Sequence, residues 1–533
     1  MSAVFDSIRE RFSKVPPLLL SQESGAIKLE LKPYLQPFEE ELAKRELEAL
    51  LLPGEKCVEE HGYWLVYTER SEDLFRKRLT YWQRVGRSVL EPTVQKALEL
   101  TQNGMQGVRE LHRSRRLRYG PHDIHEYRGK FFPQLVRSLI TISGVPDGAV
   151  VLDPMIGSGT TACEAVAFGR SAIGADCNPL SVLISTVKAT IPSLPLSKFE
   201  SYAERWRRET RFAKASPAGI WDREDLDYLR LWFDPAAIDD LAMARAWIEQ
   251  AQDAFERQFL LVCLSDIVRS VSWQKESDLR VRKEIRPYEH GTALKRFTEK
   301  VREECDRIAP YLGVLPQKKP PTTLAIRDGN AIQVDEIFRD YRGKVDLLVT
   351  SPPYATALPY LDTDRLSLIV LGLLPRREHR TRETLMIGTR EITERQRLAE
   401  WDRLLARKAE LPDSVVTLIE HIAAHYHSGA ATVGFRRRNL PALLGKYFLD
   451  MLDAMAAARR MMRKGAHGYY VVGNNSTEID GERVEIATDS FLLELGERAG
   501  WSAVETINME LLPSRDIFRE NRGSKEAILC FRA

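Results

Sequence analysis

Two short stretches of this 533-residue chain carry side chains spaced for chemistry. In the first, VLDPMIGSGTTACEAVAFGRSAIGADCNP (Val151 to Pro179), Asp153-Pro154 closes an apolar run and Gly157-Ser158-Gly159-Thr160-Thr161 follows. Asp176 closes a second apolar run. Two glycines allow a close backbone turn where a Cβ would block a ligand. The helix expected for TTACEAVAF offers unpaired backbone N–H groups at its start. Strand, glycine turn, helix and acid-ended strand together hold a nucleotide-like cofactor at the carboxyl edge of a parallel sheet. The turn lacks the Lys-Ser/Thr of a phosphate P-loop and the full GxGxxG spacing of a dinucleotide site. Taken alone, it also suits a purely structural bend. Asp176 is placed to accept hydrogen bonds from ribose hydroxyls, or to cap the helix NPLSVLIS. Asp328, after TTLAIR, is placed to read an adenine amino group, or to form a simple Asp-Gly turn with Gly329.

The second stretch is LLVTSPPY, Leu347 to Tyr354, an apolar strand ending in Ser351-Pro352-Pro353-Tyr354. The prolines restrict the backbone and withhold two N–H donors. Carbonyl oxygens are then left to face a substrate amino group, although a plain turn after a strand can use the same residues. Nucleophilic catalysis by a cysteine in a proline-cysteine context has no candidate, because none of the six cysteines follows a proline. Cys163 and Cys177 read as small buried side chains.

Elements that position these residues follow from periodicity. AVVLDP, SAIGAD, TTLAIRD and KVDLLVTSPPY read as strands of one α/β sheet, with KFFPQLVRSLITIS a helix entered through Pro133. The span from about 190 to 320 is too long for a loop of such a sheet and has helical apolar spacing, so it reads as a helical insert. A second insert, about 361 to 440, is strongly basic. YFLDMLDAMAAARRMMRKGAHG reads as a helix ending at Gly465, GYYVVGNN as a strand, and WSAVETINMEL with KEAILCFR as a final antiparallel pair. Residues 1–110 read as a small α+β domain for packing or DNA binding. In it AIKLELKPYL and GYWLVYTE are strands and FEEELAKRELEALLL is a helix. The span from Leu74 to Leu100 is mostly helical, broken near Pro92.

Composition sets the outer bounds. With 44% hydrophobic residues the chain can bury two or three cores, and its formal charge of +2 says little about nucleic acid. Cysteines without CxxC pairs fit reduced thiols rather than a zinc ribbon, and no metal is expected. The amino terminus has no long apolar segment, and no run approaches the roughly 20 apolar residues that cross a bilayer. The expectation is a soluble cytoplasmic protein without a membrane partner.

The joint pattern of Asp-Pro, GSGTT, an acid after the second strand and SPPY resembles the DNA amino-methyltransferases, which methylate N4 of cytosine or N6 of adenine. The resemblance covers roughly residues 121–533 and implies a Rossmann-like class I methyltransferase sheet with S-adenosylmethionine as cofactor. HEYRGKFFPQL (His125 to Leu135) resembles the element that lies near the methionine end of that cofactor, which adds Lys130, Phe131 and Pro133 to Asp153, Pro154, Gly157, Ser158, Gly159, Thr160, Thr161, Asp176 and Asp328. By the same resemblance Ser351 Oγ and the Pro352 carbonyl accept hydrogen bonds from the target amino group, Pro353 stiffens the turn and Tyr354 stacks on a flipped base. SPPY is more typical of the cytosine-N4 branch. The order here, glycine motif before SPPY, is the reverse of many cytosine-N4 relatives and keeps adenine N6 open. DNA is the implied partner, with Arg376, Arg377, Arg380 and Arg382, and Arg436, Arg437 and Arg438, as candidate contacts in the second insert. A separate restriction endonuclease is a further possible partner, and a non-catalytic DNA-binding or assembly subunit is the rival reading.

Overall fold

The fold was analysed in a computed structural model, which describes residues 26–33, 35–60, 62–101, 118–127, 132–208, 211–275, 282–316, 320, 322–355, 360–428, 435–479, 482–509 and 526–533. A seven-stranded sheet organises the molecule. Its strands are β6 (Val150–Asp153), β7 (Ser171–Asp176), β8 (Leu324–Asp328), β9 (Val345–Thr350), β10 (Met462–Gly473), β13 (Ser502–Met509) and β14 (Glu526–Arg532). They lie in the order β13-β14-β10-β9-β6-β7-β8. The pairs from β10 through β8 are parallel, and β14 runs antiparallel to both β10 and β13. This is a Rossmann-like α/β sheet. The chain builds outward from β6 to β7 and β8, then returns to place β9 on the other side of β6, so strand order reverses between β6 and β9. Ligand crevices in open α/β sheets form at such reversals, beyond the carboxyl ends of the strands.

Alternation along the strands divides the interior. Val151, Leu347, Val349, Tyr469, Val471 and Ile528 join one core, while Leu152, Leu348, Tyr470, Val472 and Leu529 join another. Successive residues of a strand face opposite sides, and both sides are covered, which is why β6 and β9 read as nearly unbroken apolar runs. On one face lies the helix Phe435–Met461, through Tyr447, Phe448, Met451 and Met455. On the other lie the helix Pro133–Ile142 and the amino-terminal region.

That amino-terminal region holds a five-stranded antiparallel sheet. It comprises β1 (Ile27–Leu31), β2 (Lys56–Glu60), β3 (Tyr63–Tyr67), β4 (Trp82–Gly86) and β5 (Glu91–Pro92), ordered β2-β3-β1-β4-β5. Its apolar residues form one continuous core with a face of the large sheet. Here the structure departs from the helical expectation for Leu74 to Leu100: helix covers Glu72–Arg78 and Val94–Leu100, and β4 and β5 lie between. Pairing of β4 with β1 overrides local propensity, as it commonly does for aromatic and β-branched segments.

Between β7 and β8 the chain forms helices Leu196–Arg208, Arg223–Arg230, Pro235–Ile248, Ala254–Val268 and Thr292–Val314, which share a third core with Tyr360–Val370. Between β9 and β10 it forms helices including His379–Leu385, Glu394–Arg407 and Asp413–Ser428. The long helix expected to end at Gly465 stops at Met461, because Met462 already pairs with Val345. A hairpin of β11 (Asn475–Ile479) and β12 (Glu482–Ile486), not anticipated from sequence, follows β10.

Candidate active site

Parallel register brings the acid-ended strands to one edge. Asp153 lies opposite Gly174, two residues before Asp176; Asp176 lies opposite Asp328; and β9 pairs with β6 just before Ser351. A cleft with about 880 Å³ of open space, mouth included, sits at this edge. Its walls are Tyr127, Pro154–Ser158, Thr160, Asp176-Cys177, Gly329–Ala331, Ser351–Tyr354, Met386 and Ile387.

The glycine turn is shaped by sterics. Gly157 and Gly159 adopt φ of +49° and +77°, in the left-handed region. A Cβ on Gly159 would lie 2.6 Å from the Ser185 Cα, in the backbone of the neighbouring helix Pro179–Thr190. Asp176 closes the turn by accepting hydrogen bonds from Gly157 N–H (2.9 Å) and Asn178 N–H (2.8 Å). Each carboxylate oxygen has a further lone pair for a ligand. Asn178, not Asp176, caps Pro179–Thr190, accepting from Leu180 N–H at 3.0 Å. Behind the turn the buried Lys188 donates to Thr160 Oγ1 at 3.2 Å and Ser158 Oγ at 3.5 Å.

Asp153 lies beneath the cleft and braces the strand reversal. Its Oδ1 accepts from Thr350 Oγ1 (2.7 Å) and Met155 N–H (3.2 Å), tying the end of β6 to the end of β9. Thr161 Oγ1 adds a bond to the Val349 carbonyl at 3.2 Å. Burial pushes the Asp153 carboxyl up to about 6 and the Asp176 carboxyl up to about 6, against the opposing pull of their hydrogen bonds.

Across the cleft, Ser351, Pro353 and Tyr354 are half-buried and Pro352 is buried. The turn is pinned from outside: Asn475 Nδ2 donates to the Ala355 carbonyl at 2.8 Å, and a Cβ on Gly388 would lie 3.2 Å from the Tyr354 carbonyl oxygen.

The remaining sequence candidates fall as follows. Gly159 and Thr161 support the turn from behind rather than line the cleft, and Pro133 starts a buried helix away from the lining. Asp328 is exposed and pairs with Arg382 at 2.7 Å, while its neighbours Gly329 and Asn330 line the cleft. Lys130 and Phe131 lie outside the described residues, as does the Arg436 side chain. Arg376 stacks over the Tyr228 ring and Arg377 pairs with Asp222 at 2.9 Å, so these two are engaged within the chain. Arg380, Arg437 and Arg438 are exposed. Met386 and Ile387 carry no local sequence signal; they join the cleft only because the second insert folds back over the sheet edge.

Known proteins resemble this chain. A family model for N6/N4 methyltransferases, described as DNA methylase, matches residues 46–186. The Type II methyltransferase M.MvaI of Kocuria varians is 26% identical over 388 residues, 70% of this chain and 80% of that protein. The Type II methyltransferase M.BsoBI of Geobacillus stearothermophilus is 26% identical over 275 residues, 47% of this chain and 53% of its own length. M.MjaII of Methanocaldococcus jannaschii, also a Type II methyltransferase, is 42% identical over 67 residues, 13% of this chain and 12% of its own length. These matches support a DNA amino-methyltransferase, and S-adenosylmethionine is the methyl donor of that family.

The cleft fits that donor. The glycine turn leaves room for close backbone approach, and the carboxylates of Asp153, buried beneath the cleft, and Asp176, half-buried in its wall, would favour a cationic sulfonium. Elsewhere, His122, Cys163 and Glu164 bring three possible metal-ligating atoms within 4.8 Å of one another in the interior. Their environment is a hydrogen-bonded polar network: the His122 ring bonds Glu164 at 2.8 Å and Tyr119 O–H donates to the same carboxylate at 3.0 Å. Among the described residues no helix is long and apolar enough to cross a membrane.

Proposed function

We propose that this protein is a methyltransferase that transfers the methyl group of S-adenosylmethionine to the N4 amino group of cytosine within a specific DNA sequence. The observation that carries the proposal is the facing of the Ser351–Tyr354 turn and the Gly157–Thr160 turn across one cleft. When bound, S-adenosylmethionine supplies an electrophilic methyl group. Asp176 would accept hydrogen bonds from its ribose, backbone N–H groups of the glycine turn would receive its methionine end together with Lys130 and Phe131, and Asp328 with its neighbours would border the adenine. Ser351 Oγ and the Pro352 carbonyl accept hydrogen bonds from the target amino group, which turns its lone pair toward the methyl. Tyr354 stacks on the extruded base. Positioning and exclusion of water supply much of the rate; no strong base is needed before attack, because the proton of the methylated nitrogen leaves to solvent after the transfer.

The serine at position 351 favours cytosine by resemblance to the N4 branch; the motif order keeps adenine N6 open. Exposed Arg380, Arg437 and Arg438 are the better placed candidates for phosphate contact, since Arg376, Arg377 and Arg382 are engaged within the chain. We assign target recognition to the insert from about 361 to 440, enclosure of the site to the insert from about 190 to 320, and packing to residues 1–110. The protein would act as the modification partner of a separate endonuclease. Incubation with mixed-sequence DNA and labelled cofactor, followed by nucleoside mass spectrometry, tests the reading. N4-methylcytosine supports it, N6-methyladenine selects the other amino target, and label in RNA or protein alone overturns both.

A further inference from the structure

Tyr354 is held by residues far from its own tetrapeptide. Its hydroxyl donates to Glu526 Oε1 at 3.0 Å. Glu526 opens β14 and lies directly opposite Gly473, the last residue of β10. A Cβ built on Gly473 would lie 3.0 Å from both Cζ and the hydroxyl oxygen of Tyr354. Gly473 is not among the glycines with positive φ. A larger residue there would crowd the ring rather than strain the backbone: the tip of the tyrosine ring would have to give by a few tenths of an ångström. The ring has a shelf beneath its tip and an anionic acceptor at its hydroxyl, while the same residue lines the cleft.

We propose that Glu526 and Gly473 are positioning residues that fix the Tyr354 ring as a preformed platform for the target base. The inference rests on the stacking role proposed for Tyr354. An unanchored tyrosine samples several rotamers, and capture of a flipped base would have to select one of them. Misplacement of the target nitrogen by a fraction of an ångström slows a transfer that depends on alignment. A hydrogen bond to a carboxylate is stronger than one between neutral groups, so Glu526 suits the anchoring role. Neither residue is required to touch the base or the cofactor.

The test is steady-state methylation by Tyr354→Phe, Glu526→Ala, the double variant, Glu526→Gln and Gly473→Ala, with rates normalised to cofactor-binding sites counted by calorimetry. Tyr354→Phe and Glu526→Ala should each lower kcat by about tenfold, the loss expected for one hydrogen bond to a charged group. The double variant should be no slower than either single variant, since both remove the same bond. Glu526→Gln, whose amide oxygen still accepts, should recover most of the rate. Gly473→Ala, which displaces the ring tip, should also lower kcat, with cofactor affinity unchanged in all five. Full turnover by Glu526→Ala alongside an inactive Tyr354→Ala overturns the anchoring role and leaves the stacking role standing. Full turnover by Tyr354→Ala removes the stacking role and the inference with it. Additive losses in the double variant also overturn the proposal. If Glu526→Ala fails to fold, Tyr354→Phe and Gly473→Ala decide: normal rates in both reject it.

Discussion

Asp153 and Asp176 give the cleft its electrostatic character. Both carboxyls are pushed up to about 6 by burial, so both are ionised at pH 7.5 at a cost to the folded state. A cation in the cleft favours their ionised forms, and the affinity for S-adenosylmethionine should fall as pH drops through about 6. Below that pKa each linked proton costs about tenfold per pH unit. The demethylated product has lost the sulfonium charge and should show a shallower profile. Calorimetry of both ligands from pH 8 to pH 5 checks this, and equal slopes would remove the charge argument. Asp153→Asn should flatten the donor's profile. It should also stabilise the ligand-free protein at pH 7.5, because a carboxyl whose folded pKa is raised stabilises the fold fully only below its unfolded pKa, and that contribution is lost as pH rises through about 6. The expected gain is on the order of 1–3 kcal/mol, seen as a higher Tm at pH 7.5 that shrinks toward pH 4.5. The asparagine oxygen can still accept from Thr350 and Met155, so the brace itself survives.

At the scale of elements, the glycine turn works because a helix lies directly behind it. Gly159→Ala combines a left-handed φ with a Cβ placed against the backbone of Pro179–Thr190, which cannot swing aside as a side chain would. The left-handed conformation alone costs about 1–2 kcal/mol for a non-glycine residue. Thermal melts should show at least that loss, and cofactor affinity should fall with it; a variant with unchanged affinity would mean that the turn tolerates a shifted helix. This turn and its flanking strands were legible in the sequence because their chemistry is local: Asp153, Gly157, Gly159 and Asp176 fall within one short stretch. The final antiparallel pair, β13 and β14, was legible from the Pro513, Arg515 and Gly523 that fall between the two segments. Strands β4 and β5 were not, since their conformation is imposed by pairing with β1 and with each other rather than by periodicity. Met386 and Ile387 were hidden for the same kind of reason, and so was Glu526, whose relation to Tyr354 exists only once β14 lies beside β10. The sequence also hid the pairing of Asp328 with Arg382, which ties a strand-end acid to a residue first read as a DNA contact.

At the scale of the whole molecule, the amino-terminal sheet and the large sheet share one core. The core that holds Leu42, Leu47 and Trp82 also holds Leu135, Val136 and Leu139 of the helix Pro133–Ile142, and Val151 and Val349 of the central strands. Polar groups cross the same seam. The buried Arg137 donates to Gln95 Oε1 at 2.6 Å and to the Lys77 carbonyl at 2.5 Å, Gln134 Nε2 reaches Glu99 at 3.2 Å, and Thr141 Oγ1 donates to the Arg78 carbonyl at 2.9 Å. Removal of the region before residue 118 would expose an apolar helix face and strip partners from a guanidinium that burial already holds below its usual pKa. Exposing apolar surface costs about 25 cal/mol per Å², so uncovering this helix face and the adjoining sheet approaches the stability of a typical domain. A chain beginning at residue 118 should therefore fail to give a cooperative thermal transition or should accumulate as aggregate, although it retains every residue of the SPPY and glycine turns. Restoring residues 26–117 as a separately expressed segment should recover some cofactor binding if the seam is the cause. A soluble, cofactor-binding chain from residue 118 onward would show instead that the amino-terminal sheet is an independent domain, free to serve DNA recognition rather than packing.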